Sequence, residues 1–578
     1  MRTRWSEVLL AVGAAVTVLL AVVVVGQSIV LIAGGTVQPA VTVASLLLVL
    51  VGLWFVLRRS GRSERLIAII GLLLVVGVSI VFAMLTIDLS WDGNQYHKVA
   101  TGALAGGWNP VWESISAWNV RPGNPVPVPE DYAIWNDHYP KASYLFASSL
   151  YQLTGTIEAG KAFNALMMFA VFALVAGYLA RRIGRWPALT VALLAAVTPV
   201  TVAQVTTYYV DGMLGGLILV MVVLLTMWVD PGWEAPDWWP AVQVATLAAA
   251  IVVLVNVKFT GLVYAGLFGV VYFAWLCIRW RTLRRAALTV LATGAAALAV
   301  GLLVVGASSY VRNTVTMGNP LYPLIGGDSV DIITMNQPDS FDGLDPVSKF
   351  VLANLSAASN DSVSGPIEAV LKIPFTFTSD ERGLLGAVDV RIGGYGVWFG
   401  GILIVALALG VYLLVRHARS STAMLPAFLL PLVATAIGIL IVDGSWWARY
   451  TPHLVLLPLI VLIALFATRA RILAWLLAAL LAVNVALIAQ PHALVQVWAA
   501  SPSLEEAIDE AGGCVAVYSL SNTGGVMPGM LFDVEDTAPE TRFLTTEEYE
   551  DIPEDEFVSY RMVGFVELEL LPDGCRTD

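Results

Sequence analysis

Charged residues are scarce in this sequence. They make up 13% of its 578 residues, whereas hydrophobic residues make up 58% and the mean hydropathy is +0.79. Soluble domains carry roughly 45 to 50% apolar residues, so the composition excludes an ordinary soluble protein. Acidic residues outnumber basic ones and give a net charge of −12, which argues against a nucleic-acid partner.

Histidine and cysteine are also few, with five and three residues respectively. The histidines show no metal-ligand spacing such as HExxH. Neither residue type therefore predicts a metal centre, and no cofactor is expected to be obligatory.

Long apolar runs recur along almost the whole chain. A helix needs about 20 apolar residues to cross the roughly 30 Å hydrocarbon core of a bilayer, and lipid cannot satisfy free backbone groups, so these runs must be helical. We predict an all-α polytopic membrane protein with thirteen transmembrane helices. The predicted spans are 8–32, 40–57, 66–87, 160–180, 186–204, 211–229, 239–256, 259–278, 286–308, 392–415, 423–442, 451–468 and 472–490.

The distribution of arginine predicts the orientation. Cytoplasmic loops retain Lys and Arg, and arginine clusters stand at every second span boundary, as at Arg58 and Arg59 or at Arg181 and Arg182. This pattern places the N-terminus in the cytoplasm and the C-terminus outside. The predicted inner loop from Asp230 to Trp238 departs from it, since that loop carries three acids and no base.

Three polar regions then lie outside the membrane, namely loops 88–159 and 309–391 and the C-terminal segment. We divide the chain into an N-terminal transmembrane hairpin (1–65), a transmembrane core (66–490) and an acidic C-terminal domain (491–578).

The C-terminal domain combines acidity with regular patterns. From Ser501 onward nineteen acidic residues face three arginines, a local net charge of −16. SLEEAIDEAG is helix-like, and CVAVYSL and FVELELL are strand-like, which predicts a small α/β appendage. Cys514 and Cys575 both fall here, and an oxidising exterior favours a disulfide between them. Cys277 lies in a span, where we expect inert packing.

The first outer loop begins with a polar cluster directly after the third predicted span. Its sequence LTIDLSWDGNQYHKVATG places Asp88 and Asp92 just beyond a helix end, and an acid at the membrane interface is costly unless it is solvated or used. The simpler interpretation is that Asp88 ends the helix and Asp92 begins a turn at Asp-Gly. From these residues alone both interpretations stay open.

This loop and the later stretch NDHYPKASYLFASSLYQLTG resemble the first large outer loop of the GT-C superfamily of polyprenyl-phosphate-sugar-dependent glycosyltransferases, related to bacterial mannosyltransferases and protein O-mannosyltransferases. The resemblance covers roughly residues 66–470 and implies a GT-C-like fold, a polyprenyl-phosphate sugar donor and a catalytic acid just after a transmembrane helix. Asp92 matches that place, with Asp88 as the other candidate. Gly93 departs from the family's commoner Asp-Glu pair.

Later motifs place charged residues at further outer helix ends. TTYYVDGMLGG carries Asp211, NVKFTG carries Lys258, YVRNTVTMG carries Arg312 and GSWWARYTPH carries Arg449. The resemblance implies that Asp211 binds an acceptor or tunes Asp92, and that the three cations hold the donor phosphate, for which the planar fork of arginine is suited. Simpler roles are a helix N-cap for Asp211 and interfacial anchoring for the cations.

The resemblance implies sugar transfer to an extracytoplasmic glycan, lipid or protein, with inversion. Asp92 would accept the proton of the acceptor while the cations stabilise the departing phosphate. A divalent cation stays an alternative, since Asp88, Asp92 and Asp211 could converge on one. The further candidates for acceptor or accessory roles are Tyr96, His97, His138 and Lys141.

Two other functions stay open: a flippase or transporter for lipid-linked sugar, and a non-catalytic envelope scaffold with the same fold. Transporters usually carry polar residues near the bilayer centre and matched broken helices. Here the charges gather at predicted outer helix ends, which favours chemistry at that face. The bias toward Ala, Val, Gly and Arg is typical of a GC-rich bacterium, so we expect a bacterial plasma-membrane protein.

Overall fold

The computed structural model describes residues 4–121, 133–327, 329–359, 368–379, 381, 387–417, 425–489, 491–512, 515–517, 527–544, 548, 551–553, 556–561 and 567–572. The predicted disulfide between Cys514 and Cys575 lies outside these residues.

The described chain is mainly helical. Its α-helices are α1 (Arg4–Ile32), α2 (Pro39–Val56), α3 (Arg62–Met84), α4 (Lys98–Ala105), α5 (Ile115–Asn119), α6 (Ala133–His138), α7 (Ala142–Thr154), α8 (Ala162–Leu179), α9 (Arg185–Ala196), α10 (Pro199–Gln204), α11 (Asp211–Val229), α12 (Trp239–Val257), α13 (Phe259–Ile278), α14 (Trp280–Leu303), α15 (Tyr310–Met317), α16 (Ile332–Met335), α17 (Pro346–Leu355), α18 (Phe399–His417), α19 (Leu425–Ile441), α20 (Leu456–Ala467), α21 (Arg471–Ile488), α22 (Pro491–Glu510) and α23 (Met530–Thr537). A π-helical turn, Gly93–His97, leads directly into α4.

Within the described residues, ten helices are long and apolar enough to cross a membrane: α1, α2, α3, α8, α11, α12, α13, α14, α18 and α21. The shorter apolar helices α9, α19 and α20 fall in the three remaining predicted spans. The all-α, multi-pass architecture is thus confirmed, whereas the count of thirteen crossings stays a prediction. One predicted span, 186–204, is two helices, because Thr198 caps a new helix with Pro199 at its first position.

Burial separates inner helices from peripheral ones. In α11, 89% of the most apolar stretch is buried inside the protein, compared with 22% in α3. The outward apolar side chains of α2 and α3 suit contact with lipid, which tolerates apolar exposure. Cys277 on α13 is also exposed. The expectation that it packs inside was wrong, because only 33% of the apolar stretch of α13 is buried.

Glycines allow α1 and α8 to approach closely in the interior. A Cβ atom added at Gly177 would lie 2.6 Å from Cγ of Leu10 and 2.9 Å from the carbonyl oxygen of Ser6. At Gly13 a Cβ would lie 2.8 Å from Cγ of Leu174. Small residues at helix crossings permit this van der Waals packing in membranes, where apolar side chains gain little from leaving lipid.

Ion pairs join connecting segments that are predicted to lie on the same side of the membrane. Among the predicted inner segments, Arg181 pairs with Glu7 at 2.7 Å and Arg182 pairs with Asp230 at 3.0 Å. The neighbouring arginines therefore supply the positive charge that the loop from Asp230 to Trp238 lacks. This explains why that loop departs from the pattern of arginine-rich inner loops. Orientation relative to the cytoplasm remains a prediction.

The C-terminal segment carries a small sheet. Its strands are β1 (Val515–Val517), β2 (Arg542–Phe543), β3 (Val558–Arg561) and β4 (Glu567–Pro572), in the order β2-β1-β4-β3. β1 pairs in parallel with β2 and antiparallel with β4, and β3 pairs antiparallel with β4. β1 falls within the first stretch predicted as a strand, and β4 overlaps the second and ends one residue beyond it.

We expect Gly177→Val to destabilise the protein, because the added side chain would collide with the backbone and side chains of α1. Overpacking of this kind costs about 1 to 3 kcal/mol. The measurement is the midpoint temperature of thermal aggregation of the purified protein in detergent. Gly266→Val is the matched control, since a Cβ at Gly266 on α13 meets nothing within 4 Å; equal midpoints for the two variants would contradict the packing argument.

Candidate functional site

Asp88 lies four residues after the end of α3. This carboxylate is fully buried, and its two oxygens accept hydrogen bonds from the backbone amides of Ser90 at 2.8 Å and Tyr208 at 2.7 Å. Burial raises the pKa of Asp88 above its ordinary value, with Lys98 opposing the shift. Asp88 therefore joins the loop after α3 to the segment before α11 and does not face open space.

Gly93 is required by the same carboxylate. A Cβ atom at this position would lie 2.1 Å from Oδ2 of Asp88, so a larger residue would collide with the buried anchor. This close approach gives a structural reason for glycine directly after Asp92.

Asp92 faces a different set of partners. Nη2 of Arg449 donates to Oδ2 of Asp92 at 2.6 Å, and the hydroxyl of Tyr96 donates to the same oxygen at 3.1 Å. Burial raises the pKa of Asp92, but the Arg449 guanidinium outweighs it, so the pKa lies below its ordinary value. Asp92 is thus ionised at neutral pH.

Arg449 binds two more carboxylates. Its Nε donates to Oδ2 of Asp211 at 3.1 Å, and its Nη1 donates to Oδ1 of Asp389 at 2.6 Å. Lys258 pairs with the other oxygen of Asp211 at 2.7 Å, and Arg391 pairs with Asp389. We call these six residues the Arg449 cluster: Asp92, Asp211, Lys258, Asp389, Arg391 and Arg449. Its formal charges cancel.

Helix ends bring the cluster together. Asp211 is the first residue of α11, and Lys258 lies between α12 and α13. Asp211 does not cap its helix through its side chain, so the simpler interpretation as an N-cap was wrong. Its oxygens instead accept from Lys258, Arg449 and the amide of Gln204.

The cluster is open on one side only. The side chains of Asp92 and Asp389 are 21% and 18% exposed, whereas those of Asp211 and Lys258 are 0% and 3% exposed. Aromatic rings cover the cations: Arg449 lies 4.6 Å from the ring centroid of Tyr209, and Lys258 lies 4.0 Å from that of Tyr450. A ligand can therefore reach the cluster at Asp92 and Asp389.

His97 lies beside the cluster. Its Nδ1 is 2.6 Å from the hydroxyl of Tyr144, and among the described residues its Nε2 has no hydrogen-bond partner. Burial lowers the pKa of His97 to about 3, so the ring is neutral. The free nitrogen can accept or donate one hydrogen bond, depending on the tautomer.

Arg312, His138 and Lys141 form a separate polar group. Arg312 donates to the carbonyl oxygen of Pro110 at 3.0 Å and lies 3.4 Å from Oδ1 of Asp137. Lys141 donates to the carbonyl oxygens of Asp137 and Tyr139; burial and then Arg312 lower its pKa to about 7. Nδ1 of His138 lies 2.7 Å from Oδ1 of Asn313. The described hydrogen bonds do not join this group to the Arg449 cluster.

Sequence reasoning missed Asp389 and Arg391. They stand at the end of the second outer loop in VDVRIGG, and the only available signal was an acid next to a base before a glycine pair. Trp447 reinforces their placement, because its indole nitrogen donates to the carbonyl oxygen of Asp389 at 2.6 Å.

The suggestion that Asp88, Asp92 and Asp211 converge on a divalent cation was wrong. Both oxygens of Asp88 accept backbone amides, and the guanidinium of Arg449 lies between Asp92 and Asp211. In the part of the chain that the structure describes, no group of three or more His, Cys, Asp and Glu side chains could hold a metal ion.

An apolar cavity of about 820 Å³ lies next to the cluster. Its walls come from α3, α8 and α9 and include Phe82, Phe169, Phe172 and Leu193. The cavity is also lined by Ser90, Thr207 and Val388. Along the chain, Ser90 is two residues before Asp92, Thr207 is two residues before Tyr209 and Val388 directly precedes Asp389. The amide of Gln204 joins this wall to the cluster, since it donates to both Val388 and Asp211.

No protein-family model matches the sequence. No curated protein matches it either.

Solved structures with some likeness include ArnT from Cupriavidus metallidurans bound to undecaprenyl phosphate, at 16% identity and a TM-score of 0.38 over 80% of this chain and 84% of that one. The apo state of that protein has 16% identity and a TM-score of 0.36, again over 80% of this chain and 84% of that one. The Archaeoglobus fulgidus oligosaccharyltransferase tethered with an acceptor peptide has 13% identity and a TM-score of 0.38 over 83% of this chain and 65% of that one. At such low scores the likeness assigns neither a family nor an activity to this chain.

We expect Arg449→Gln to raise the pKa of Asp92. Burial then acts without the guanidinium that opposes it, so the carboxyl holds its proton to higher pH. Infrared difference spectra across a pH titration would follow the carboxyl C=O stretch, with Asp92→Asn identifying the band. Arg312→Gln is the control, because Arg312 belongs to the separate polar group. An unchanged titration of Asp92 in Arg449→Gln would contradict the cluster geometry.

Proposed function

We propose that this protein is a membrane glycosyltransferase that moves a sugar from a polyprenyl-phosphate donor to an acceptor hydroxyl on the outer face. The observation that carries the proposal is the apolar cavity whose wall at Val388 is joined by Gln204 to Asp211 of the Arg449 cluster. A lipid-linked sugar combines a long apolar chain with an anionic phosphate, and these adjacent sites suit the two parts. The resemblance of the first outer loop to the GT-C superfamily supports the same assignment.

The donor phosphate would bind at the open side of the cluster. Arg449 presents Nη1 and Nη2 toward Asp389 and Asp92, and a guanidinium can hold two phosphate oxygens with this fork. Phosphate therefore competes with both carboxylates for the same donors. Lys258 is buried against Asp211, so its role is to neutralise Asp211 and not to contact phosphate first.

This competition would activate Asp92 as a general base. While Arg449 is bound, the pKa of Asp92 is below its ordinary value and the carboxylate is a weak base. When phosphate takes the Nη2 donor, burial acts on Asp92 with less opposition and its proton affinity rises. The base thus becomes stronger only when the donor is present.

The transfer step is a single displacement with inversion. The acceptor oxygen forms a bond to the anomeric carbon, the bond from that carbon to the phosphate oxygen breaks, and the electron pair leaves on the lipid phosphate. The acceptor proton goes to Asp92, and Arg449 stabilises the negative charge on the leaving phosphate. Arg449 supplies positive charge at the open side, so no divalent ion is required by this proposal.

Other side chains have supporting places in this scheme. Tyr96 holds the oxygen of Asp92 that also binds Arg449, and neutral His97 offers one free ring nitrogen to a sugar hydroxyl. Arg312, His138 and Lys141 lie in the separate polar group and would contact only an acceptor that extends beyond the cluster. The protein is proposed to work in a bacterial plasma membrane, with its site on the extracytoplasmic side.

The position of the charges favours transfer over transport. Asp211, Lys258 and Arg449 all lie at helix ends or between helices, whereas transport sites are typically built near the bilayer midplane from broken helices. A flippase would move carrier lipid without any acceptor, and a scaffold would not depend on Asp92.

We expect Asp92→Asn to lower the transfer rate at least about 100-fold, the usual contribution of a general base, while donor binding is kept. The assay is transfer of radiolabelled sugar from a panel of polyprenyl-phosphate sugars in membranes that contain the protein. Asp342→Asn is the control, since Asp342 is exposed in the second outer loop. Equal transfer by wild type and Asp92→Asn would rule out the proposed base.

We expect Leu193→Trp to raise the KM for a long-chain donor about 10-fold, because the larger ring would fill part of the cavity and each loss of about 1.4 kcal/mol is a factor of ten. A short-chain, water-soluble donor analogue should be used equally well by variant and wild type. Leu291→Trp on α14 is the matched control, since Leu291 is similarly exposed, at 51% compared with 53% for Leu193, but does not line the cavity. An equal effect on both donors would contradict lipid binding in this cavity.

A further inference from the structure

The segment that carries Asp92 is one continuous helical unit. The turn Gly93–His97 passes into α4 with helical backbone angles at both His97 and Lys98. Lys98 stands six residues after Asp92, which is about 9 Å at 1.5 Å per residue. A shift of Lys98 would therefore be transmitted to Asp92.

Helix α23 of the C-terminal segment packs along one face of this unit. The amide of Gly529 donates to the carbonyl oxygen of Asn94 at 2.6 Å, and Lys98 pairs with Asp533 at 2.7 Å. The ring of Phe532 covers Gly102, where a Cβ atom would lie 2.2 Å from the ring. Asn94, Lys98 and Gly102 are spaced by four residues, so all three lie on the same helix face.

The contact is fixed by a buried ion pair. Lys98 is fully buried, and it also pairs with Glu158 at 2.7 Å. Glu158 pairs in turn with Lys161, so Asp533 adds a second carboxylate to a buried network that contains two lysines and also lies close to Asp88. Losing one member of a buried pair leaves an uncompensated charge, which is strongly unfavourable. The distant C-terminal segment thus supplies one of the two carboxylates that pair with Lys98.

A second polar contact holds α23 from the side. Both oxygens of Asp536 accept hydrogen bonds, from the hydroxyl of Tyr151 at 2.7 Å and from the backbone amide of Ile157 at 2.7 Å. Tyr151 is on α7, and Ile157 begins the turn that leads into α8. Helix α23 is therefore anchored both to the helical unit that carries Asp92 and to the neighbouring segments that carry Tyr151 and Ile157.

We infer that α23 is a positioning element for Asp92, and that Lys98 and Asp533 are positioning residues that keep Asp92 in register with Arg449. The inference about placement stands on the contacts alone, and its catalytic consequence rests on the proposed function. On this view the acidic C-terminal segment is part of the architecture of the site and not an independent binding module.

The test uses Asp533→Asn in the full-length protein in lipid nanodiscs. We expect faster amide hydrogen exchange in peptides that cover 93–105, because the buried Lys98 loses one of its two carboxylate partners. We also expect kcat for sugar transfer to fall about 10- to 100-fold, as a displacement of 1 Å can cause, with the KM for the donor unchanged. Glu540→Gln is the matched control, since Glu540 is an exposed acid just after α23.

A double variant separates positioning from simple loss of folding. Lys98→Met with Asp533→Leu removes both members of the pair and leaves Glu158 paired with Lys161, so neither partner of the pair is left charged without the other. We expect this variant to recover slow exchange in 93–105 and most of the lost kcat. If Asp533→Asn does not reach the membrane, Tyr151→Phe removes one anchor of α23 and should speed exchange in the same peptides to a smaller extent.

Two outcomes distinguish the proposals. Wild-type exchange and wild-type kcat in a membrane-inserted Asp533→Asn protein would overturn the positioning role. Faster exchange in Asp533→Asn, together with no transfer from any donor by the wild type, would keep the positioning role and overturn the proposed function.

Discussion

The guanidinium of Arg449 is shared by three carboxylates that come from distant parts of the chain. Asp92 follows the third helix, Asp211 begins α11 and Asp389 ends the second outer loop, and each accepts from a different nitrogen of the same side chain. An arginine at this depth is costly unless it is paired. The pairing that removes this cost also fixes the relative positions of three segments, so the site and the packing of these segments depend on one residue.

Charge balance gives the cluster its chemical character. Three acids and three bases cancel, so the site is stable without a ligand, and a bound anion must displace a carboxylate to gain the arginine. The exposed edge at Asp92 and Asp389 is where this displacement can occur, because Asp211 and Lys258 are closed off by aromatic rings and burial. A resting ion pair that is broken by substrate would link donor binding to the basicity of Asp92 without movement of a whole domain.

The rest of the fold holds these groups at helix ends and in the segments between helices. Inner helices such as α8 and α11 are packed through small residues and are almost fully buried, while α2 and α3 present apolar side chains outward. The apolar cavity lies between inner and peripheral helices, and Gln204 joins its wall at Val388 to Asp211 of the cluster. The C-terminal segment, although it looks like an acidic appendage in sequence, contributes buried contacts to the helical unit that carries Asp92.

Local patterns in the sequence determined the helical, multi-pass architecture, because the length and hydropathy of a run decide by themselves whether it can cross a bilayer. The same patterns singled out Asp92, Asp211, Lys258 and Arg449, since charges at helix ends are conspicuous in an apolar chain. Composition could not distinguish Asp88 from Asp92. Only the structure does, through backbone amides that bind the first and a guanidinium that binds the second.

Partner choice was decided by tertiary structure. Asp92 and Arg449 are 357 residues apart, and Lys98 and Asp533 are 435 apart; no periodicity connects positions at such separations. For the same reason Asp389 could not be distinguished from the other acids of its loop. Lys258 was expected to bind phosphate because the sequence does not show that it pairs with Asp211. Asp533 was one of nineteen C-terminal acids. Its role follows from burial against a lysine, which is a property of packing and not of the local sequence.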